Sequence, residues 1–292
     1  MTGKIVKGIA GFYYVYGEDG VLYECKAKGI FRKDKIKPLV GDDVSISVVD
    51  KDACVGNIDD ILPRSSELLR PAVANVDQAL VLFAAAKPAP NFNLLDRFLI
   101  RMGLEDVPVA IGFNKCELVS EAEQKEMEEL YTSAGYQVFF CSVKEQIGLC
   151  KLKEMLQGKT TTLAGPSGVG KSSLMNYLCP QAEMETGDVS RKIERGKHTT
   201  RHAELFVVDT DTFVMDTPGF SSVYISEIEA PELWRYFPEM EEAEKECRFT
   251  GCLHLEEPDC GVKARVQEGI IKKKRYESYR QLYTELNQIK RY

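Results

Sequence analysis

The stretch that decides the fold is GPSGVGKSS, at residues 165–173. It matches G-x-x-x-x-G-K-[ST], the pattern of a loop that cradles phosphates with its backbone N–H groups. The segment TTTLAG before it predicts a strand and KSSLMNYL predicts the helix that follows, which is the context this motif requires. We expect Lys171 to reach the β- and γ-phosphates of a nucleotide and Ser172 to ligate Mg²⁺. The residues predicted to contact the nucleotide are Gly165, Pro166, Ser167, Gly168, Val169, Gly170, Lys171, Ser172 and Ser173.

A second motif, NKCE at residues 114–117, lies earlier in the chain and resembles the NKxD element with which P-loop GTPases read guanine. Asn114 is expected to hydrogen-bond the base, and the stem of Lys115 to lie across it. The Glu117 carboxylate can accept from N1–H and the 2-amino group, although its side chain is one methylene longer than the usual Asp. Ser142, Val143 and Lys144 resemble the SAK loop, which meets guanine O6.

Two further segments fit the switch regions of a GTPase. In DTPG, residues 216–219, Asp216 suits the Mg²⁺ shell and the Gly219 N–H suits the γ-phosphate. RKIERGKHTTRHAELF, residues 191–206, offers Thr200 as a Mg²⁺ ligand of switch I, with Thr199 as the alternative. Phe220 follows DTPG and cannot orient a water molecule, so we expect His198 to take a hydrolytic role.

These elements occur in the order base loop, second base loop, phosphate loop, switch I, switch II. An ordinary GTPase begins with the phosphate loop, so this order predicts a circular permutation that leaves the sheet intact. Strands alternate with helices from Val76 onward, which indicates an α/β domain with a parallel sheet. We place this domain at residues 71–225.

The ends of the chain differ from its middle. Residues 1–70 contain several short strands separated by Gly- and Asp-rich turns, which predicts a β-barrel of the OB-fold type. Residues 1–41 hold eight Lys/Arg against four Asp/Glu, and residues 263–292 hold nine against three, in a chain of net charge −7. Basic ends around an acidic centre favour contacts with nucleic acid at the ends. A solvated surface is the alternative explanation.

Residues 226–292 form a predicted third unit, which is helical and carries a cluster of metal-binding residue types. Its three cysteines and one histidine make a complete Cys₃His set for one structural zinc ion, with no open coordination position. Reduced cysteines without metal are the alternative. The predicted ligands are Cys247, Cys252, His254 and Cys260.

Neither a signal peptide nor a membrane-spanning run is visible in the sequence, because the longest apolar run, residues 79–86, is too short to cross a bilayer. The sequence therefore predicts a cytoplasmic protein without membrane contact, and we expect a monomer.

Taken together, RPAVANVDQ at 70–78, NKCEL, GPSGVGKSSLMN, GKHTTRH, DTPGF, CRFTGCLHLEEPDCGV and RYESYRQL resemble the RsgA (YjeQ/YloQ) family of ribosome small-subunit-dependent GTPases. The resemblance spans essentially the whole chain. It implies an N-terminal OB-fold, a permuted GTPase domain and a zinc domain. It also implies GTP hydrolysis to GDP and phosphate, stimulated by the 30S subunit, and a role in late 30S maturation with 16S rRNA as partner. Arg201 stands where the family usually has a third Thr in switch I.

Two readings of the function compete. In the first, GTP sets the conformation of a switch enzyme and hydrolysis releases it from 16S rRNA. In the second, the chain is a nucleotide-regulated RNA-binding module outside ribosome assembly. A P-loop kinase is a weaker third reading, since a kinase would need neither NKCE nor a switch I.

Overall fold

A computed structural model of the 292-residue chain describes residues 1–28, 37–69, 72–182, 184, 203–216 and 223–289. The chain divides into two compact units, residues 1–80 with 150–219 and residues 81–149 with 220–292. No described helix combines the length and the apolar composition that crossing a membrane would require.

The N-terminal part of the first unit is a closed barrel with the strand order β1-β2-β3-β5-β4. Buried and exposed residues alternate along β3, as expected for a strand with one face in a core. The predicted β-barrel is thus confirmed and has five strands, although β5 and its parallel pairing with β3 were not predicted. The strands are β1 (Thr2–Ile9), β2 (Phe12–Gly17), β3 (Leu22–Ala27), β4 (Asp43–Asp50) and β5 (Val55–Ile61).

The segment after the barrel is held against the start of β4 by a buried ion pair. Arg64 donates to both carboxylate oxygens of Asp42, at 2.7 and 2.9 Å, and Asp42 has no exposed surface. Gly41 lies so near the Ala74 carbonyl that a Cβ there would come within 2.0 Å of the oxygen. This contact leaves no room for a side chain at position 41. Two short antiparallel strands follow, β6 (Glu67–Leu69) and β7 (Ala72–Ala74).

The α/β part of the chain contains one six-stranded sheet in the order β10-β9-β8-β11-β13-β12. β9 and β10 are parallel, as are β11 and β13, and only the β12–β13 hairpin is antiparallel among the pairs with a described register. Every residue of β8 is buried, which is typical of a strand covered on both faces. The strands are β8 (Gln78–Ala84), β9 (Val109–Asn114), β10 (Gln137–Phe140), β11 (Thr160–Ala164), β12 (Leu205–Asp209) and β13 (Thr212–Asp216).

Four helices alternate with these strands, as the sequence predicts. Ser120 and Glu123 begin the second helix with the expected capping box, in which each residue's side chain accepts from the backbone N–H of the other. The helices are α1 (Phe92–Leu104), α2 (Glu121–Thr132), α3 (Leu149–Leu156) and α4 (Lys171–Leu178).

The C-terminal part of the second unit consists of short 3₁₀ segments and three helices around a core of its own. That core includes Ile100 of α1 together with side chains between Ile225 and Leu286. The helical character predicted for residues 226–292 is therefore confirmed, and its core extends to α1. The helices are α5 (Glu241–Glu244), α6 (Gly261–Gln267) and α7 (Lys273–Gln288).

The basic run KKKR at residues 272–275 is not the uniform surface charge that the sequence indicates. The Arg275 side chain is 2% exposed. Lys272 and Lys274 form ion pairs with Glu129 and Glu126 of α2. Arg275 lies on the buried face of α7 because it is spaced three, four and seven residues from Ser278, Tyr279 and Leu282, which are also buried.

Candidate nucleotide and metal sites

The candidate phosphate loop connects β11 to α4 in the first unit. Gly165, Gly168 and Gly170 have φ angles of +145°, +79° and +99°, in the region that favours glycine. Gly170 is the N-cap of α4 and provides no side-chain hydrogen bond to the first turn. Gly170 therefore does not cap the first N–H groups of α4. Uncapped N–H groups at a helix N-terminus can bind an anion.

Lys171 begins α4 and turns back over the loop. Its ammonium donates to the carbonyl oxygens of Gly165 and Pro166, at 2.7 and 2.8 Å. Burial lowers the pKa of Lys171, and the negative charge of Asp216 acts in the opposite direction. The loop therefore holds a partly desolvated positive charge that a phosphate can neutralise.

Asp216 ends β13, directly beside the start of the loop. It is in register with Leu163 of the parallel strand β11, two residues before Gly165. Parallel strands bring their carboxyl ends to the same edge of a sheet, and this edge is where α/β proteins bind ligands. The structure thus brings the predicted Mg²⁺-shell carboxylate to the phosphate loop.

The candidate base loop lies in the second unit, at the end of β9. Asn114 is 3% exposed, and its Oδ1 accepts from the Val143 N–H at 3.2 Å. This hydrogen bond joins the NKCE motif to the Ser142–Lys144 segment. The two segments that the sequence assigns to guanine therefore lie side by side.

Lys115 and Glu117 stand on a tight turn after Asn114. Lys115 has a left-handed φ of +62°, and its ammonium donates to the carbonyl oxygen of Lys87 at 2.6 Å. Glu117 belongs to a 3₁₀ turn, Cys116–Leu118, and is exposed. An exposed carboxylate beside a buried asparagine offers one acceptor group to a planar ligand with N–H donors.

The second base loop is a closed turn. Ser142 and Ile147 exchange two backbone hydrogen bonds of 3.0 Å, and the buried Ser142 hydroxyl accepts from the Glu145 N–H. Gly148 has φ +71°, and a Cβ there would come within 2.2 Å of the Phe140 carbonyl oxygen. This geometry exposes Lys144 and fixes the backbone of Val143.

His198, Thr199, Thr200, Gly219 and Phe220 lie outside the described residues. Their assigned roles at the nucleotide therefore stay predictions.

The four predicted metal ligands come together in the second unit. Their candidate ligand atoms all lie within 4.8 Å of one another, and three of the four residues are buried. His254 Nδ1 is 3.6 Å from Cys247 Sγ and 3.5 Å from Cys260 Sγ, and the two sulfurs are 3.8 Å apart.

These distances fit a tetrahedral zinc ion. Zn–S bonds of about 2.3 Å and Zn–N bonds of about 2.0–2.1 Å place tetrahedral sulfurs about 3.8 Å apart, and a sulfur and a nitrogen about 3.5–3.6 Å apart. Burial lowers the pKa of His254, which favours the neutral imidazole that a metal requires. The donor set, its spacing and the protonation state of His254 are thus those of a structural metal site.

Aromatic side chains surround the ligand loop. Trp234 meets the His254 ring edge-to-face with centroids 5.9 Å apart. The hydroxyls of Tyr276 and Tyr279 donate to the carbonyl oxygens of His254 and Leu253, at 2.6 and 2.7 Å. The loop is therefore fastened to α7 by two hydrogen bonds in addition to any metal.

Sequence reasoning missed two residues that support these sites. The Gln124 side-chain amide of α2 donates to the Cys116 carbonyl oxygen at 3.2 Å. This hydrogen bond connects α2 to the base loop. Arg275 lies in the basic C-terminal segment, where that reasoning gave it no separate role. Its position on the apolar face of α7 was the available signal, whereas no local pattern marks Gln124.

Comparison with known proteins agrees with this arrangement. A family model described as RsgA GTPase matches residues 61–226, and one described as RsgA N-terminal domain matches residues 2–55. The chain is 55% identical over 302 residues to the small ribosomal subunit biogenesis GTPase RsgA of Agathobacter rectalis, covering 100% of both chains. It is 49% identical to the protein of the same name in Alkaliphilus metalliredigens, covering 99% of both.

Two solved structures share the fold over their whole length. One is YloQ, titled a circularly permuted GTPase, which is 38% identical with a TM-score of 0.79 and covers 100% of this chain and 96% of that one. The other is YjeQ from Thermotoga maritima, which is 34% identical with a TM-score of 0.80 and covers 99% of each chain. These relatives and solved structures match the chain over essentially its whole length, and the chain belongs to the RsgA family of GTPases.

Proposed function

We propose that this GTPase acts in late maturation of the small ribosomal subunit, binding the 30S particle with GTP and leaving it after hydrolysis to GDP and phosphate. The observation that carries the proposal is the 55% identity, over the complete chain, to a relative named for small ribosomal subunit biogenesis. The phosphate loop with Lys171 beside Asp216 supports the hydrolytic part.

The loop between β11 and α4 supplies the phosphate-binding groups in this proposal. The backbone N–H groups from Gly165 to Ser173 hold the phosphates, and Lys171 exchanges its two loop carbonyls for phosphate oxygens. Ser172 and Thr200 would hold Mg²⁺ with the help of Asp216, and the Gly219 N–H would donate to the γ-phosphate. When bound, Mg²⁺ neutralises charge on the phosphate oxygens.

The NKCE motif and the Ser142–Lys144 segment supply guanine selectivity in this proposal. The Glu117 carboxylate accepts from N1–H and the 2-amino group, which adenine does not present in this pattern. Asn114 bonds the base while its Oδ1 keeps Val143 in place, and the backbone of the Ser142–Lys144 turn meets guanine O6. The stem of Lys115 covers one face of the base.

His198 orients the attacking water in this scheme. Phe220 has no polar group for the task, and His198 precedes the switch-I threonines in the sequence. A positioned group of this kind contributes roughly 10²–10⁴-fold to a rate.

We assign one structural zinc ion to Cys247, Cys252, His254 and Cys260. Three thiolates and the His254 Nδ1 would fill a four-ligand site, so a bound ion would contribute folding energy and no chemistry at the nucleotide. The S–S and S–N distances in the loop support this assignment.

The partner surface is basic in part. Lys/Arg side chains at the two ends of the chain hold rRNA phosphates, which positions the protein without demanding sequence. Lys273 contributes from α7 because its side chain is 82% exposed, whereas the buried Arg275 does not. The protein works as a cytoplasmic monomer.

Co-sedimentation with purified 30S subunits tests the proposal. We expect the chain to pellet with 30S subunits in the presence of a non-hydrolysable GTP analogue and to stay in the supernatant with GDP. Equal retention with both nucleotides, or equal pelleting with 50S subunits, contradicts it and favours a general RNA-binding module.

A further inference from the structure

The second unit contains a fully buried arginine that the nucleotide and metal assignments leave without a role. Arg275 of α7 donates from Nε and Nη2 to the two Glu239 carboxylate oxygens, at 2.7 and 3.2 Å. Its Nη1 donates to Asp96 of α1. A guanidinium keeps its proton in proteins, so this is a charge held inside the core by two carboxylates.

Aromatic rings enclose the same guanidinium. Its central carbon is 4.6 Å from the ring centroid of Phe237 and 5.3 Å from that of Tyr131, the penultimate residue of α2. The Tyr131 hydroxyl donates to the Asp96 Oδ1 that also accepts from Arg275, at 3.1 Å. Arg275 therefore fastens α7 to both α1 and α2.

Helix α2 connects this cluster to the guanine-binding loop. Its far end holds the loop through Gln124, whose side-chain amide donates to the Cys116 carbonyl between Lys115 and Glu117. A helix of 12 residues is about 18 Å long and acts as a rigid rod. A shift of Tyr131 is thus transmitted to the backbone that positions the Glu117 carboxylate.

Helix α7 connects the cluster to the metal loop in the other direction. The residue after Arg275 is Tyr276, whose hydroxyl donates to the backbone carbonyl oxygen of His254, one of the four candidate metal ligands. One turn later, Tyr279 holds the Leu253 carbonyl and meets the Phe237 ring edge-to-face at 5.5 Å. Phe237 in turn packs on Arg275.

We propose that Arg275 is a positioning residue that links the Cys₃His metal site to the guanine-binding loop, so that metal occupancy and guanine-nucleotide affinity strengthen each other. The inference rests on the proposed zinc and GTP sites. Thermodynamic linkage requires the coupling to be reciprocal: the factor by which zinc strengthens GDP binding equals the factor by which GDP strengthens zinc binding.

The experiment measures the coupling factor twice on the full-length protein, once from GDP binding and once from zinc binding. Calorimetry gives the GDP dissociation constant of zinc-loaded and zinc-depleted protein. Competition with a chelator gives the zinc dissociation constant with and without saturating GDP. We expect both ratios to be about tenfold, within the usual range of coupling between sites.

Three variants locate the coupling. Tyr131→Phe removes the hydroxyl contact to Asp96, Tyr276→Phe removes the contact to the His254 carbonyl, and Arg275→Met removes the charge. We expect the first two to reduce the factor to about threefold and the third to bring it near one. The control is Arg280→Met on the same helix, where the side chain is 52% exposed and its contact with Glu256 is 3.5 Å long. It should keep the full factor.

The outcomes separate this inference from the proposed function. A protein that holds one zinc ion and binds GDP, but shows ratios near one from both sides, overturns the link and leaves the proposed function intact. A folded Arg275→Met variant that keeps the full wild-type coupling factor also overturns the link and leaves the proposed function intact. If Arg275→Met does not fold, the two Tyr→Phe variants decide, and unchanged ratios in both overturn the link. A protein that binds neither zinc nor GDP overturns the proposed function and the link with it.

Discussion

Lys171 shows at the scale of one residue how the phosphate loop is prepared for its ligand. Its ammonium bonds two carbonyl oxygens of its own loop, and burial lowers its pKa while Asp216 opposes that shift. A partly desolvated cation gains electrostatic stabilisation when an anion arrives, because charges interact more strongly where water is excluded. In the proposed site, Lys171 exchanges these two carbonyl oxygens for phosphate oxygens when GTP binds.

Replacing Lys171 by Ala should lower the turnover of GTP by about 10²–10³-fold, because a preorganised charge facing the transferred phosphate is lost. Steady-state phosphate release measures this. Lys151→Ala, on the exposed face of α3, is the matched control and should keep the original rate. A Lys171→Ala enzyme with more than half of the original turnover would show that the loop does not work as assigned.

Glu117→Ala should weaken GDP binding by about 10–100-fold, since hydrogen bonds to a charged acceptor contribute about 1.5–3 kcal/mol. The same variant should lose most of its preference for GDP over ADP. Calorimetric titration with GDP and ADP tests both statements, with the exposed Glu128→Ala as control. Wild-type protein that binds ADP as tightly as GDP would refute the guanine assignment.

Residues whose role depends on neighbours in sequence could be predicted, and residues whose role depends on distant partners could not. The phosphate loop and the Ser120–Glu123 capping box are local patterns, and their contacts follow from local geometry. Arg275 pairs with Asp96, 179 positions away, and the run of four basic residues concealed it. Only the helical spacing of Arg275 relative to Tyr279 and Leu282 indicated that its side chain lies on the buried face of α7.

At the scale of elements, α2 joins the base loop at its first turn. The Ser120 cap and the Gln124 contact both act there. The sequence pattern did not predict strand β5 of the barrel. Its sequence, VGNIDDI, contains Asn and Asp residues that are uncommon in strands, although Gly56 and Ile58 are buried in the core. Closing the barrel required this strand, which a count of apolar runs did not supply.

Ser120→Ala should destabilise the first turn of α2 by about 1 kcal/mol, the usual cost of losing an N-cap. Hydrogen exchange at the amides of Glu123 and Gln124, which donate to Ser120, should accelerate about fivefold, because 1.4 kcal/mol corresponds to a factor of ten. Ser133→Ala at the other end of α2 is the control. Unchanged exchange in Ser120→Ala would mean that the cap contributes nothing to the helix.

Trp234 is the one tryptophan of the chain, and it packs on the ligand His254. Removing the metal with a chelator should expose its indole and shift its fluorescence emission to longer wavelength. Cys252→Ser should bind less than half of the wild-type zinc and already show the shifted emission. An unchanged spectrum after complete zinc removal would place the metal away from these four ligands.

At the scale of the whole molecule, the chain combines an acidic overall charge with basic ends. The order of its GTPase motifs, with the base loops before the phosphate loop, could be predicted because each motif is short and local. The way α1 contributes Ile100 to the core of the C-terminal region could not, since it depends on packing between distant segments.

We propose that the small ribosomal subunit stimulates GTP hydrolysis by this protein. Measuring GTP turnover with and without purified 30S subunits tests this proposal. We predict slow GTP hydrolysis by the free protein and at least tenfold faster turnover with 30S subunits. The gain should be lost in His198→Ala, whereas 50S subunits should leave the basal rate unchanged. Turnover that is the same with 30S subunits, 50S subunits and no subunits would contradict the account.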